Sequence, residues 1–287
     1  MRAILVSGDV WPRWISKVGT VTARSCGKLA RHDVTGEVRV IVVMTSDMPQ
    51  YRSSLHVPSD VVQQVRGARR FGADQVVLDL ADLDPSHKDV ARAGIAEALE
   101  SNDYGEALLA VRVNPIDSKW AYRDVVDIVE RAGDFIDGIV VPQVTSPSDI
   151  EFVDTLVGMI EQRIDLGHRI VIEAEIATAQ ALALLDEIAL VSDRLDALVL
   201  DEAGLLAALG ADGDPTTNDD VLTSLRLQVL VAARAVGLHA VVAPAVAGDD
   251  RSAYRATVER AGAVGYDGAR CTHPAQVTLA NEVFAPA

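Results

Sequence analysis

Arg52-Ser53-Ser54-Leu55-His56-Val57-Pro58, Leu78-Asp79-Leu80-Ala81-Asp82 and Val111-Arg112-Val113-Asn114-Pro115 are the stretches that decide the fold. Each is an apolar run ending in charged or turn-forming residues at a similar point. A parallel barrel presents its chemistry in this way, because the C-terminal ends of its strands meet at one rim. Outward from these three, short apolar runs alternate with helix-period segments. Strands are expected near residues 53–57, 75–80, 108–113, 137–141, 169–176, 196–201, 238–243 and 266–270. Their Val- and Leu-rich character suits strands buried on both faces.

Helices are expected between them. Residues 59–71 carry Val61, Val62, Val65 and Ala68 on one face after Ser59, a good N-cap. Residues 147–165 follow Ser146, and residues 178–190 follow Thr178. Residues 219–236 and 249–263 share the pattern, and a last helix opens with Pro274 at its first position. Eight such strand–helix units in about 235 residues match an α/β fold of the (β/α)8 TIM-barrel type, whose usual size is roughly 250 residues. An open doubly wound sheet is the competitor, and no G-x-G-x-x-G follows any strand.

The expected organisation is an N-terminal extension over residues 1–50 and the barrel over 51–287. In the extension, Ala3–Val6 and Val38–Val43 have strand character and residues 14–31 weak helical character, which together suggest a small βαβ piece.

Of the 287 residues 49% are hydrophobic and 4% aromatic, so the core must be aliphatic. The formal net charge of −16 argues against nucleic acid or an anionic membrane as partner. Cys26 and Cys271 form neither a metal spacing nor a disulfide framework, which suits a reducing, cytoplasmic setting. No apolar stretch has the length of a signal h-region or a membrane span.

At the expected rim stand Asp79, Asp82, Arg112, Asn114, Gln143, Glu173, Glu175, Asp201, Glu202, Arg270, Thr272 and His273. An arginine ending an apolar strand needs an anion, and Arg112 either forks onto a substrate carboxylate or phosphate or pairs with Asp79 or Asp82. Asp82 either exchanges protons with substrate or caps the next helix. Lys88 and Arg92 open that helix, with a solvated face as the plain alternative, and His273 is expected to cap the last one. Asp212-Gly213-Asp214 lacks the glutamate of a calcium loop, Thr223 standing in its place.

The set Arg52–Pro58, Gly72–Asp82, Lys88-Asp-Val-Ala-Arg92, Val111–Asn114, Gly138–Pro142, Gly265–Gly268, His273-Pro-Ala-Gln276, Asn281 and Phe284–Pro286 resembles the citrate lyase β-subunit-like branch of the HpcH/HpaI aldolase family. The resemblance covers about residues 52–286. It implies a TIM barrel, often oligomeric, that cleaves or forms carbon–carbon bonds in hydroxyacyl-CoA thioesters with Mg²⁺ as Lewis acid. It assigns substrate binding to Arg52 and Arg112, and a catalytic role to Arg112 and Asp82.

The same resemblance places the metal ligands at Ala177 and Gly204, neither of which carries a donor. Ala81 and Gln143 depart from the family pattern too. A displaced magnesium site would have to use Glu175 with Asp201 or Glu202. Without it, Glu173 and Glu175 are expected to pair with Arg or Lys or to point outward between barrel and helices, and an inward one lacking a cation to have a raised pKa. The expected function is binding of a carboxylated or CoA-linked hydroxyacid with aldol- or Claisen-type cleavage. The alternatives are a non-catalytic ligand sensor or structural partner of an active paralogue, and a metal-independent hydrolase or isomerase using Asp82 with Arg112. The expected partners are a small carboxylate or acyl-CoA and a second copy or paralogue.

Overall fold

The computed structural model describes residues 2–4, 20–21, 40–43, 50–58, 68–100, 107–211, 218–246 and 250–286. Three short strands, β1 (Arg2–Ile4), β2 (Thr20–Val21) and β3 (Val40–Val43), form one sheet in the order β1-β3-β2. Both pairings of β3 are antiparallel. This differs from a βαβ unit, whose strands run parallel, and Thr20–Val21 is strand where helix was expected.

The aliphatic runs that follow are buried on both faces, which is what a closed parallel barrel demands. The strands are β4 (Ser53–Pro58), β5 (Gln75–Asp79), β6 (Leu108–Arg112), β7 (Gly138–Val141), β8 (Val171–Ile176), β9 (Leu195–Asp201), β10 (His239–Ala243) and β11 (Gly268–Cys271). They pair in parallel in chain order, and β11 returns to β4 to close the ring. Inside it, Val77, Ala110 and Val140 pack in one cluster, and Tyr51, Leu108, Val199, Val241 and Ala243 in another. Closure depends on Gly268, because a Cβ there would overlap the Tyr51 carbonyl.

The helices are α1 (Lys88–Glu100), α2 (Ala121–Ala132), α3 (Pro147–Ile164), α4 (Ala179–Ala183), α5 (Leu185–Leu190), α6 (Glu202–Ala208), α7 (Asp219–Val236), α8 (Arg251–Val264) and α9 (Pro274–Val283). Each of the longer ones buries one stripe, such as Ile150, Val153, Val157 and Ile160 on α3. Their starts follow local chemistry. Ser146 and Asp149 form a capping box, Thr178 accepts from the Ala181 amide, and Asp250 accepts from those of Ser252 and Ala253. The helix expected over 178–190 is two, broken at Leu184, whose backbone leaves the helical region. The helix expected after Ser59 lies largely outside the described residues, as do Asp212–Asp214. Among the described residues no helix is long and apolar enough to cross a membrane.

Candidate active site at the barrel mouth

Strand polarity sets which residues can meet. In β4, β5 and β6 the register runs Pro58–Asp79–Arg112, so Asp79 and Arg112 end their strands side by side at the C-terminal mouth. Glu175 projects into the same space from β8. Arg112 reaches it with Nε to Oε1 at 3.0 Å and Nη2 to Oε2 at 2.9 Å. Nη1 donates to Asp79 Oδ2 at 3.1 Å and lies 3.1 Å from Asp82 Oδ2. Arg112 and Glu175 are buried, whereas the Asp82 side chain is 80% exposed. A second guanidinium, that of Arg270 on β11, pairs with Glu175 Oε1.

These contacts shift the titration of the cluster. Burial alone would raise the Asp79 pKa, but His56, with Nδ1 3.7 Å away, and the Arg112 guanidinium hold it well below the usual carboxylate range. Burial, with the Arg270 charge, pushes the His56 imidazole down to about 3, so it is neutral at physiological pH. Burial opposes the Arg112 charge, yet Asp79 and Asp82 raise its pKa. Arg270 is pushed down to about 9 by burial and by the like charge of Arg112. Burial raises Asp201.

Deeper in the barrel the chemistry changes. Ser54 Oγ donates to Gln75 Oε1 at 2.6 Å, and Gln75 Nε2 donates to Glu173. Glu173 has this neutral amide rather than a cation as its hydrogen-bond partner, and burial pushes it up to about 7. This is the rise expected of an inward glutamate without a cation.

The residues singled out from sequence do not all converge. Arg112, Asp82 and Glu175 meet. Arg52 does not join them: it precedes β4, at the opposite end of the barrel, and forks onto Asp74 at 2.8 and 2.7 Å. A strand's first residue cannot reach the rim at its far end, so Arg52 is corrected from mouth residue to a ligand of Asp74. Asp201 caps α6 by accepting from the Gly204 amide at 3.1 Å. Glu202 is buried against Arg226 at 2.7 Å and accepts from the Ala245 amide at 3.1 Å. Asp82 does not cap α1, which starts only at Lys88. His273 caps α9, its Nδ1 accepting from the Ala275 amide.

Lys88 and Arg92 are buried, not solvated. Lys88 Nζ donates to the carbonyls of Leu80 and Ala81 at 3.1 Å and to Asn114 Oδ1. Arg92 and Asn114 meet on Asp124. These bonds tie the turn carrying Asp82 to the end of β6. The solvated face that was the plain alternative for both is not what the structure has: Lys88 finds Asn114 and Arg92 finds Asp124, both in the next strand–helix unit.

The fit to magnesium follows from the donor set. Ala177 and Gly204 offer no oxygen side chain, and a Cβ on Gly204 would stand 2.9 Å from the Ala177 Cβ and 2.9 Å from Asp201 Oδ2. The two positions are packed against each other, and both Glu175 oxygens face guanidinium groups. Mg²⁺ requires hard oxygen ligands in octahedral array, and these residues do not fit it. Among the described residues no group of three or more His, Cys, Asp or Glu is arranged to hold a metal. A cavity of about 520 Å³ lies elsewhere, outside the barrel, lined by Leu182, Leu185, Leu227 and Val231.

Residues 52–274 match the model of HpcH/HpaI aldolase/citrate lyase. The chain belongs to this family. An L-malyl-CoA/β-methylmalyl-CoA lyase of Cereibacter sphaeroides is 36% identical over 230 residues, covering 75% of this chain and 72% of that one. A (3S)-malyl-CoA thioesterase of the same organism is 33% identical over 238 residues, covering 82% and 78%. The citrate lyase β subunit of M. tuberculosis, solved with oxaloacetate and magnesium, superposes with a TM-score of 0.67 at 23% identity, covering 83% of this chain and 98% of that one. That last likeness concerns the fold alone.

Proposed function

We propose that this member of the family binds a carboxylated, CoA-linked hydroxyacid at the barrel mouth, and that it does so without a divalent ion. The observation that carries the reading is the asymmetry around Arg112. Two of its carboxylate partners, Asp79 and Glu175, are sealed in the barrel, while the third, Asp82, is 80% exposed. An exposed ion pair is held weakly, so an incoming carboxylate can displace Asp82 from Nη1 and take its place on a planar fork suited to it. The relatives named for malyl-CoA support the thioester class.

Chemistry at the mouth falls to the chain's own groups. Asp82, released by the ligand, stands beside the bound hydroxyacid as a base for its hydroxyl proton. Loss of that proton lets the adjacent carbon–carbon bond break, and the electron pair passes to the thioester as an enolate, which then takes a proton to give the shortened acyl-CoA. Guanidinium groups are the available stabilisers of that negative charge. A second reading, favoured by the thioesterase relative, is hydrolysis: water adds to the thioester carbonyl, the carbon–sulfur bond breaks, and the thiolate leaves with a proton.

Incubation with malyl-CoA in chelator and in Mg²⁺ tests this. Metal-independent binding that is weakened by Arg112→Ala supports the reading. Acetyl-CoA with glyoxylate marks cleavage, CoA with malate marks hydrolysis, and binding without products leaves a ligand sensor. Binding seen only with Mg²⁺ would overturn the metal-free reading.

A further inference from the structure

The turn that carries Asp82 is gripped by the residue that ends it. The chain leaves β5 at Asp79, passes through Asp82 and enters α1 at Lys88. The buried Lys88 reaches back, and its Nζ donates to the carbonyls of Leu80 and Ala81 at 3.1 Å each and to Asn114 Oδ1. An ammonium has three donors, and these three acceptors use them all. The Trp120 ring lies against the nitrogen, its centroid 4.9 Å away. A compact ammonium can serve three oxygens grouped around one point, which a planar guanidinium cannot.

The same turn is held on its amide side. The amides of Ala81 and Asp82 donate to Asp79 Oδ1 at 2.8 and 3.3 Å, and Asp79 is itself held by Arg112 Nη1. The Leu80 amide donates to the Arg112 carbonyl at 2.9 Å. Asn114, the third partner of Lys88, is fixed in turn. Its backbone amide and Nδ2 donate to Asp124 Oδ2 at 2.9 and 2.6 Å, and Arg92 donates to Asp124 Oδ1 at 2.9 and 2.8 Å. The backbone leading into Asp82 is thus tied to the strand end that carries Arg112. The Asp82 side chain is 80% exposed where it meets Arg112. A side chain so exposed owes its place to its backbone.

We propose that Lys88 is the positioning residue for Asp82. It acts through the turn: by fixing the Ala81 carbonyl it sets the direction in which Asp82 leaves the backbone. The carboxylate then stays beside Arg112 Nη1, within reach of a hydroxyl bound there. Misplacing such a group by about 1 Å can cost about a hundredfold in rate. A merely structural lysine would steady the start of α1 and leave the rate of the folded chain alone. The proposal rests on the reading above, that Asp82 takes the hydroxyl proton of a thioester-linked hydroxyacid.

Single-turnover release of acetyl-CoA from malyl-CoA tests it, with enzyme in excess and chelator present. The unaltered chain is compared with Lys88→Met, Asp82→Asn and the two substitutions together. Lys88→Met is expected to slow the step at least about tenfold while malyl-CoA affinity changes less than about twofold. Where Asp82→Asn is already present, adding Lys88→Met should slow the step less than about twofold, because a group that acts only through Asp82 has nothing left to place. Slowing by one factor in both backgrounds, or an unchanged rate in Lys88→Met, overturns the proposal while the role of Asp82 stands. An unaltered chain that releases no acetyl-CoA, or an Asp82→Asn chain as fast as the unaltered one, overturns the reading of Asp82 and the proposal with it. If Lys88→Met does not fold, Asn114→Ala, which removes one of the three acceptors, enters the same cycle. A slowing that vanishes beside Asp82→Asn then supports the proposal, and an equal slowing in both backgrounds, or none, overturns it.

Discussion

Glu173 and Glu175 stand two residues apart on one strand and point the same way, roughly 6–7 Å apart along β8, yet they are accommodated by opposite means. Glu173, deep in the barrel, accepts from the neutral amide of Gln75, and its pKa rises to about 7. Glu175, at the mouth, lies between the guanidinium groups of Arg112 and Arg270. The lower layer lowers the cost of burial by holding a proton, the upper layer by pairing charges. Only the upper arrangement includes an exposed partner, Asp82 on Arg112 Nη1, and the proposed binding role rests on that difference between the two layers.

The largest effect should come from removing the upper pairing. Arg112→Met leaves Asp79 and Glu175 buried with fewer cations, and we expect a loss of about 3–5 kcal/mol in denaturant unfolding. A loss under about 1 kcal/mol would mean that guanidinium pairing does not hold the mouth.

Next comes the lower layer, through pH. The folded pKa of Glu173 is raised from 4.5 to about 7, so between these values the folded chain binds the proton that the unfolded chain releases. Its contribution is full below pH 4.5 and is lost as pH rises through about 7, by about 3 kcal/mol in all. Unfolding followed from pH 4 to 8 should show this slope, and Glu173→Gln should flatten it. An unchanged slope in that variant would assign the proton elsewhere.

A smaller effect tests the packing where ligands to magnesium would stand. Gly204→Ala forces a Cβ against Ala177 and Asp201, and should lower stability by about 1–3 kcal/mol. A neutral result would show room for side chains there. The smallest effect belongs to Asp82→Asn. Its exposed pair with Arg112 should be worth less than about 1 kcal/mol, while malyl-CoA, freed of a competitor for Nη1, should bind several-fold more tightly.

The barrel was legible because its signals are periodic and local. Val76–Leu78 and Leu198–Leu200 read as strands from their runs, and Ser146, Thr178 and His273 announced helix starts through capping chemistry. Arg112 was legible for a related reason, as a charge ending an apolar strand. Arg52 misled because its identity was read without its place along the strand. The burial of Lys88 and Arg92 was left open by the sequence because their partners, Asn114 and Asp124, belong to another strand–helix unit, about which sequence spacing carries no information. Arg270 carried the same signal as Arg112, a charge within a barrel strand, but its pairing with Glu175 becomes visible only once the barrel brings β8 and β11 together.

The central claim is that guanidinium groups, not a divalent ion, balance the carboxylates of the mouth. Titration of the full chain with Mn²⁺, followed by electron paramagnetic resonance and repeated with Glu175→Gln, tests it most directly. We predict no bound-ion signal that Glu175→Gln removes. A tightly bound ion at one per chain, lost in that variant, would contradict the account.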